Sequence, residues 1–354
     1  DVYKRQTMHH LLPSIVALAV AAVGTSALAE TYYVDGACGD DAWQGVGPIC
    51  VPPHGPFQSV QAAIDAADHG DGIIVAAGTY AESIDLLGKA LVLRSADGAA
   101  TTLMTGDGGG GRIVVCATGE GPDTIIEGFT ITGGAGMIDA GTSPTVRACA
   151  FIGNEAESGA ALLVTDDGAP VLRQCRFDGN TAELDGGAIM VDDAGCTTVS
   201  CLFDGNTAEN GGAIASRFAG GGTVQIMNCV FFQNTATYGA AILNSSTASH
   251  TVNCTFANND ASMSGGAMRS EAISHPVIDN SVLWNNGGGE VVDDETSVTH
   301  VSYSNVEGGF VGPNIDADPA FVDQGAGDLR LLGGSPCIDA ANSMDVPEDW
   351  ADLD

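Results

Sequence analysis

Between Val146 and Asn286 the apolar and polar positions recur with a period far longer than that of a helix or a strand. The recurrence is anchored by Cys149, Cys175, Cys201, Cys229, Cys254 and a serine in the same place, Ser281, at steps of 26, 26, 28, 25 and 27 residues. Such a fixed period is the mark of a repeat array. Two residues after each cysteine stands a phenylalanine: Phe151, Phe177, Phe203, Phe231 and Phe256. Two residues is the strand period, so cysteine and phenylalanine face the same way. Three residues before the anchor comes an apolar or β-branched position, Val146, Leu172, Thr198, Ile226, Thr251 and Ile278. An odd offset cannot stay on one face of a straight strand, so the pattern predicts a bend or bulge between them. Five residues after the anchor is always asparagine: Asn154, Asn180, Asn206, Asn234, Asn259 and Asn286. A second short strand then starts at a Gly/Ala pair and carries Leu162, Ile189, Ile214, Ile242 or Met268.

Short strands separated by corners, with Gly-Gly breaks where a helix needs strong formers, predict an all-β solenoid in which each repeat makes one circuit and stacks on the last. With rungs ~4.8 Å apart, nine or ten circuits make a rod roughly 45 Å long, and equivalent residues form columns along it. The asparagine column fits a tight corner, where the amide tolerates unusual dihedrals and bonds the amides above and below. The Gly/Ala pairs permit close backbone approach. The cysteine column reads as small, soft core filler.

At this point the repeats resemble a known group. Phe-x-x-Asn followed by Gly-Gly-Ala-Ile, as at Phe177 to Ile189 and Phe203 to Ile214, resembles the repeat of polymorphic outer membrane proteins and of right-handed parallel β-helix proteins more broadly. The stretch from Phe57 to Ser95 is similar to the opening of pectin-lyase-like β-helices, where a short capping helix precedes the first rungs. "TIIEGFTITGG", Thr124 to Gly134, resembles an early rung with Phe129 and Ile131 in the cysteine and phenylalanine places. Asn314 to Asn342 looks like the terminal segment of bacterial surface β-helices of the choice-of-anchor type. The resemblance implies a single-stranded right-handed parallel β-helix of the pectin-lyase-like class; the handedness comes from it alone.

Composition then narrows the context. Lys and Arg number 11 against 45 Asp and Glu, a net charge of −34, which excludes an electrostatic nucleic-acid binder because such proteins need a basic face. From Met8 the chain reads as an export signal, with an apolar run from Leu11 to Val23 and Ala27 and Ala29 at the peptidase positions. That run is shorter than the ~20 residues of a membrane span. Residues 1–29 are therefore assigned as leader and signal peptide, 30–72 as an N-terminal lead-in and cap, 73–312 as the β-helix, and 313–354 as a terminal-rung segment that reads as cut inside a longer protein. Export makes disulfides permissible; Cys38 and Cys50 are expected to close a small loop, while five of the ten cysteines obey the repeat period instead. The mature chain is expected to be a secreted or cell-surface monomer with no membrane span.

The chemistry is read column by column. Polysaccharide lyases and hydrolases on this fold place carboxylates and a basic residue on neighbouring rungs. Counting past the second strand brings Asp166, Asp167, Asp192, Asp193 and Arg217 toward one patch. Asp192, Asp193 and Arg217 are the candidate catalytic set, and Asp166, Asp167, Asp192 and Asp193 the candidate calcium ligands; no other cofactor is expected. The same Asp-Asp-Gly and Asp-Asp-Ala pairs are also ordinary corner residues. His250, His275 and His300 recur at 25-residue steps but without a closed ligand set they read as exposed turns. Two functions fit: an exported structural, adhesive or glycan-contacting scaffold without catalysis, or a calcium-dependent pectate-lyase-like lyase or hydrolase with Arg217 or another base as proton acceptor. The acidic surface, which repels polyuronates, favours the scaffold.

Overall fold

The odd three-residue step ahead of each cysteine is a corner. In a computed structural model of the protein, which describes residues 29–106, 111–217, 222–338 and 340–342, the residue just before each anchor adopts the left-handed conformation: Ala148, Gln174, Ser200, Asn228, Asn253 and Asn280, with φ between 51° and 55°. One such residue turns the chain from one strand to the next. The leader read at residues 1–29, its last residue Ala29 excepted, and the final "EDWADLD" lie outside the described residues.

Each circuit contributes one strand to each of several parallel sheets. We call these sheet A, eleven strands from Thr31–Val34 to His300–Ser302; sheet B, ten strands from Gly78–Tyr80 to Asn305–Val306; sheet C, nine strands from Ile84–Asp85 to Val291–Asp293; and sheet D, five strands from Glu155–Ser158 to Asp260–Ser264. Sheet D answers to no sequence expectation: the repeat pattern predicts one strand after the asparagine, at the Gly/Ala pair, and the regular array has a further one between the asparagine and glycine corners. Registry is residue for residue. Phe151 pairs with Phe177, Phe177 with Phe203, Phe203 with Phe231 and Phe231 with Phe256. Ile131 extends that column below and Leu283 above, as expected for the early rung.

Stacked rungs put like on like. The five phenylalanine rings are fully buried, with centroids 4.7–5.1 Å apart and planes within 6° of parallel. The asparagine amides form a directional ladder. Each Nδ2 donates to the Oδ1 of the next asparagine at 2.8–3.0 Å, and that same Oδ1 accepts the backbone N–H as well, from Asn154 through Asn286. The second Nδ2 hydrogen goes to the phenylalanine carbonyl of the preceding rung, as from Asn206 to Phe177 at 3.0 Å. At the far end Glu290 takes both donors of Asn286, at 3.1 and 2.6 Å. The strained dihedral belongs not to the asparagine but to the residue before it: Gly179 and Gly205 have φ of 61° and 63°, and Gln233 is held at 54°.

The cysteine column also differs from its reading as apolar filler. The N–H of Cys201 donates to Cys229 Sγ and that of Cys229 to Cys254 Sγ, both at 3.4 Å. Cys254 N–H donates to Ser281 Oγ at 3.1 Å, and Ser281 N–H to Ser304 Oγ at 3.0 Å. Serine can replace cysteine because the position needs an acceptor as well as small volume. Cys149, Cys175, Cys201, Cys229 and Cys254 are free and buried, and burial pushes the Cys149 and Cys254 thiols up.

At the N-terminal end the expected helix, α1 (Val60–Ala66), buries Val60, Ala63 and Ile64 in the same core cluster as Ile73 and Leu93. Ser59 caps its first turn, Glu82 accepts from the N–H groups of Val60 and Gln61, and Lys89 Nζ bonds the Ile64 and Asp65 carbonyls, so charge opposes the helix dipole at both ends. Cys38 and Cys50 are disulfide-bonded, as expected. Thr31–Val34, within the lead-in, already pairs with Gly72–Val75 as the first strand of sheet A. At the other end the antiparallel pair Phe321–Asp323 and Asp328–Leu331 folds back on the side of the rod, where Gln324 bonds Asn258 and Gly327 approaches the Phe232 ring.

Candidate functional site

Sheet C ends each strand on an outward residue, and successive ends stack. Asp192 pairs with Arg217, Arg217 with Ser245 and Ser245 with Glu271. Of the candidate set read from the sequence, Asp192 and Arg217 stand on neighbouring rungs. The next residue turns the corner: Asp166, Asp167 and Asp193 all lie in the left-handed region, at φ of 56°, 63° and 49°, and all are exposed. Aspartate is among the few L-residues that tolerate this conformation, so the backbone accounts for its presence there. Asp166 Oδ2 accepts from the Thr165 hydroxyl at 3.0 Å.

The guanidinium of Arg217 is engaged on sheet D. It forms an ion pair with Asp185, whose side chain is only 3% exposed and whose other oxygen, Oδ1, accepts from Asn210 Nδ2 at 3.1 Å. Asp185 belongs to sheet D, in a column with Ser158, Asn210, Tyr238 and Ser264. Arg269, two rungs on, repeats the gesture: it donates to Ser264 Oγ at 2.9 Å, contacts Glu271 at 3.4 Å and lies 5.2 Å from the Tyr238 ring centroid. At the opposite end Arg112 donates to the carbonyls of Gly159, Ser158 and Met137 at 2.6, 2.9 and 3.3 Å, and burial lowers its pKa to about 10. Three arginines therefore close the edge between sheets C and D against the fold. A guanidinium already paired to a buried carboxylate is a poor proton acceptor and a poor anchor for a second anion.

For cations, the one grouping of three potential ligands with atoms within 4.8 Å among the described residues is Asp35, Cys38 and Cys50, and its two sulfurs are joined in the disulfide. Asp166, Asp167, Asp192 and Asp193 form no such grouping there. His250 and His300 share a column with Val277 between them, and His275 lies outside the strands. His250 instead faces Asp279 at 3.3 Å.

Of the buried carboxyls missed by the sequence reading, Asp139 and Glu290 have the most perturbed surroundings. Asp139, on sheet C in register with Cys116 and Val164, is fully enclosed; its Oδ1 accepts from Thr142, and Oδ2 has no partner. Burial raises its pKa to about 7. Glu290, at the ladder's end, is raised to about 7, again chiefly by burial. Asp139 stands in the column next to that of Asp192 and Arg217, two rungs before Asp192, but is enclosed in the core, and Glu290 lies apart from it.

The family profile described as right handed beta helix region matches residues 110–260. Stacked parallel sheets and that match together define a right-handed parallel β-helix. Among solved structures a rhamnogalacturonan lyase is similar at 11% identity and a TM-score of 0.34, with 86% of this chain and 96% of that one covered. No curated protein matches.

Proposed function

We propose that this protein is an exported, surface-displayed β-helical scaffold, of the kind that polymorphic outer membrane repeats and a choice-of-anchor end suggest, and that it contacts glycans without chemistry of its own. The observation that carries the reading is the pairing of Arg217 with Asp185, whose other carboxylate oxygen accepts from Asn210. The basic member of the candidate set is thereby committed to Asp185 and is not held for Asp192. Column stacking also supports it, since a rod held by files of identical groups is stiff and presents long flat faces. The net charge of −34 keeps such a rod soluble and turns polyuronates away.

The test is incubation of purified protein with polyuronates and neutral glycans, with and without calcium, following unsaturated product and simple retention together. Retention of a glycan with no product agrees with the proposal. Product that requires calcium and vanishes in Arg217→Ala would instead establish a lyase with Arg217 as base and the nearby aspartates as ligands.

A further inference from the structure

Sheet D stops at Asp260–Ser264, and the next circuit puts glycines where its strand would run. Gly287 pairs with Asp260 by a single bridge, and Gly288 and Gly289 follow at φ of 86° and 93°. With no side chains there, the asparagine corner opens into a recess of about 310 Å³ bordered by Asn258, Asp260, Asn285, Gly287 and Glu307. That volume lies at the lower end of the range of small-molecule sites.

The hydrogen-bonding groups around the recess are unequally occupied. Asn259 and Asn286 are consumed by the ladder and by Glu290. Asn258 Oδ1 already accepts from Asn285 Nδ2 and Gln324 Nε2, both at 2.7 Å, and its Nδ2 donates to the Gln324 carbonyl. Glu307 Oε2 accepts the Asn285 N–H at 2.6 Å. Among the acceptors, the Asp260 carboxylate, Glu307 Oε1 and Asn285 Oδ1 remain without a partner among the described residues, and one hydrogen of Asn285 Nδ2 remains as a donor. A ligand that mostly donates suits this lining, and the two carboxylates oppose an anion. The Glu307 side chain reaches back to the rung of Asn285, next to that of Asp260, and a cation would find only these two carboxylates, since no third acidic, histidine or cysteine ligand joins them among the described residues.

We infer that this recess is a binding site for a neutral sugar unit, whose hydroxyls donate to Asp260 and Glu307. The inference rests on the glycan-contact reading and names where that contact is made. Uncharged pyranosides fit it, and uronates do not.

The experiment is calorimetric titration of the intact protein with cellohexaose, galactohexaose and tetragalacturonate, repeated on Asp260→Ala and Glu307→Gln with far-UV circular dichroism as the folding control. A neutral hexasaccharide is expected to bind, and each substitution to weaken it at least about tenfold, the loss of one hydrogen bond to a charged group. Tetragalacturonate is expected to show no binding that these substitutions alter. Neutral-sugar binding unchanged in both folded variants would overturn the site while leaving glycan contact standing. No binding of either neutral sugar by the unaltered protein would overturn both.

Discussion

Replacing Asn206 by alanine removes four side-chain hydrogen bonds at once. Asn206 Oδ1 accepts from the N–H and the Nδ2 of Asn180 at 3.0 and 2.8 Å, while its own Nδ2 donates to the Phe177 carbonyl at 3.0 Å and to Asn234 Oδ1 at 2.9 Å. All four lie at a fully buried position. Truncation orphans two donors of Asn180, and a buried unpaired group costs about 1–3 kcal/mol. Part of the burden is relieved because Asn180 Nδ2 keeps its bond to Phe151 and Asn234 Oδ1 keeps the Asn206 N–H. The expected loss is about 3–5 kcal/mol. Asn154 supplies the internal comparison, because its Oδ1 accepts nothing and only two side-chain bonds go, to Ile131 and Asn180. Asn154→Ala should cost about half as much. Guanidinium unfolding followed by circular dichroism measures both. A loss under about 1 kcal/mol at Asn206, or equal losses at the two sites, would refute the ladder as a chain of coupled bonds.

Three further expectations follow from the same geometry. Arg217→Ala strands the buried Asp185 carboxylate and should cost about 2–4 kcal/mol, most of it recovered in the double variant with Asp185→Asn; additive losses in a double-mutant cycle would contradict the pairing. Asp139 is protonated in the fold up to about pH 7 but in the unfolded chain only near its usual 3.8, so the folded state binds the extra proton between those values. Stability therefore falls as pH rises through that window, by up to about 4 kcal/mol, and the penalty is complete above it. Asp139→Asn should flatten that slope in unfolding measured from about pH 4 to 8. Gln233→Gly, at a corner where the preceding rungs place Gly179 and Gly205, should raise stability by about 1 kcal/mol if its φ of 54° is strained, read as a shift in the unfolding midpoint.

The columns were legible in the sequence because stacking imposes one period on every position that faces the interior. The asparagines obey it in all six repeats and the phenylalanines in the five anchored by cysteine, with Leu283 in the sixth, and the capping helix and the Cys38 to Cys50 bridge carried their own local signals. Sheet D was not legible: Thr-Ala-Glu and its variants alternate a methyl with exposed polar groups, which resembles a turn, and the buried alanines Ala182, Ala208 and Ala236 are too small to announce a core. Asp185 escaped notice for a related reason. Its column holds serine, aspartate, asparagine and tyrosine in turn, so no repeat marks it, and its arginine partner stands on another sheet. Ser281 was the available clue that the cysteine column accepts hydrogen bonds. The repeat pattern points to the asparagine as the residue with unusual dihedrals, whereas the glycine of Phe-Asp-Gly-Asn is the one that adopts them.

Register between neighbouring circuits is the claim on which the site, the ladder and the recess all stand. Thr207 and Thr235 are exposed, 28 residues apart in the chain, and their hydroxyl oxygens lie 2.9 Å from each other on adjacent rungs of sheet D. Changing both to cysteine and oxidising the folded protein, with the cross-link read by mass spectrometry, should join the two positions by a disulfide in near-complete yield, since the ~4.8 Å rung spacing lies within the permitted Cα range. Failure of that pair to join, or equal joining of cysteines introduced at Thr207 and Asp260, one rung too far, would contradict the stacked solenoid.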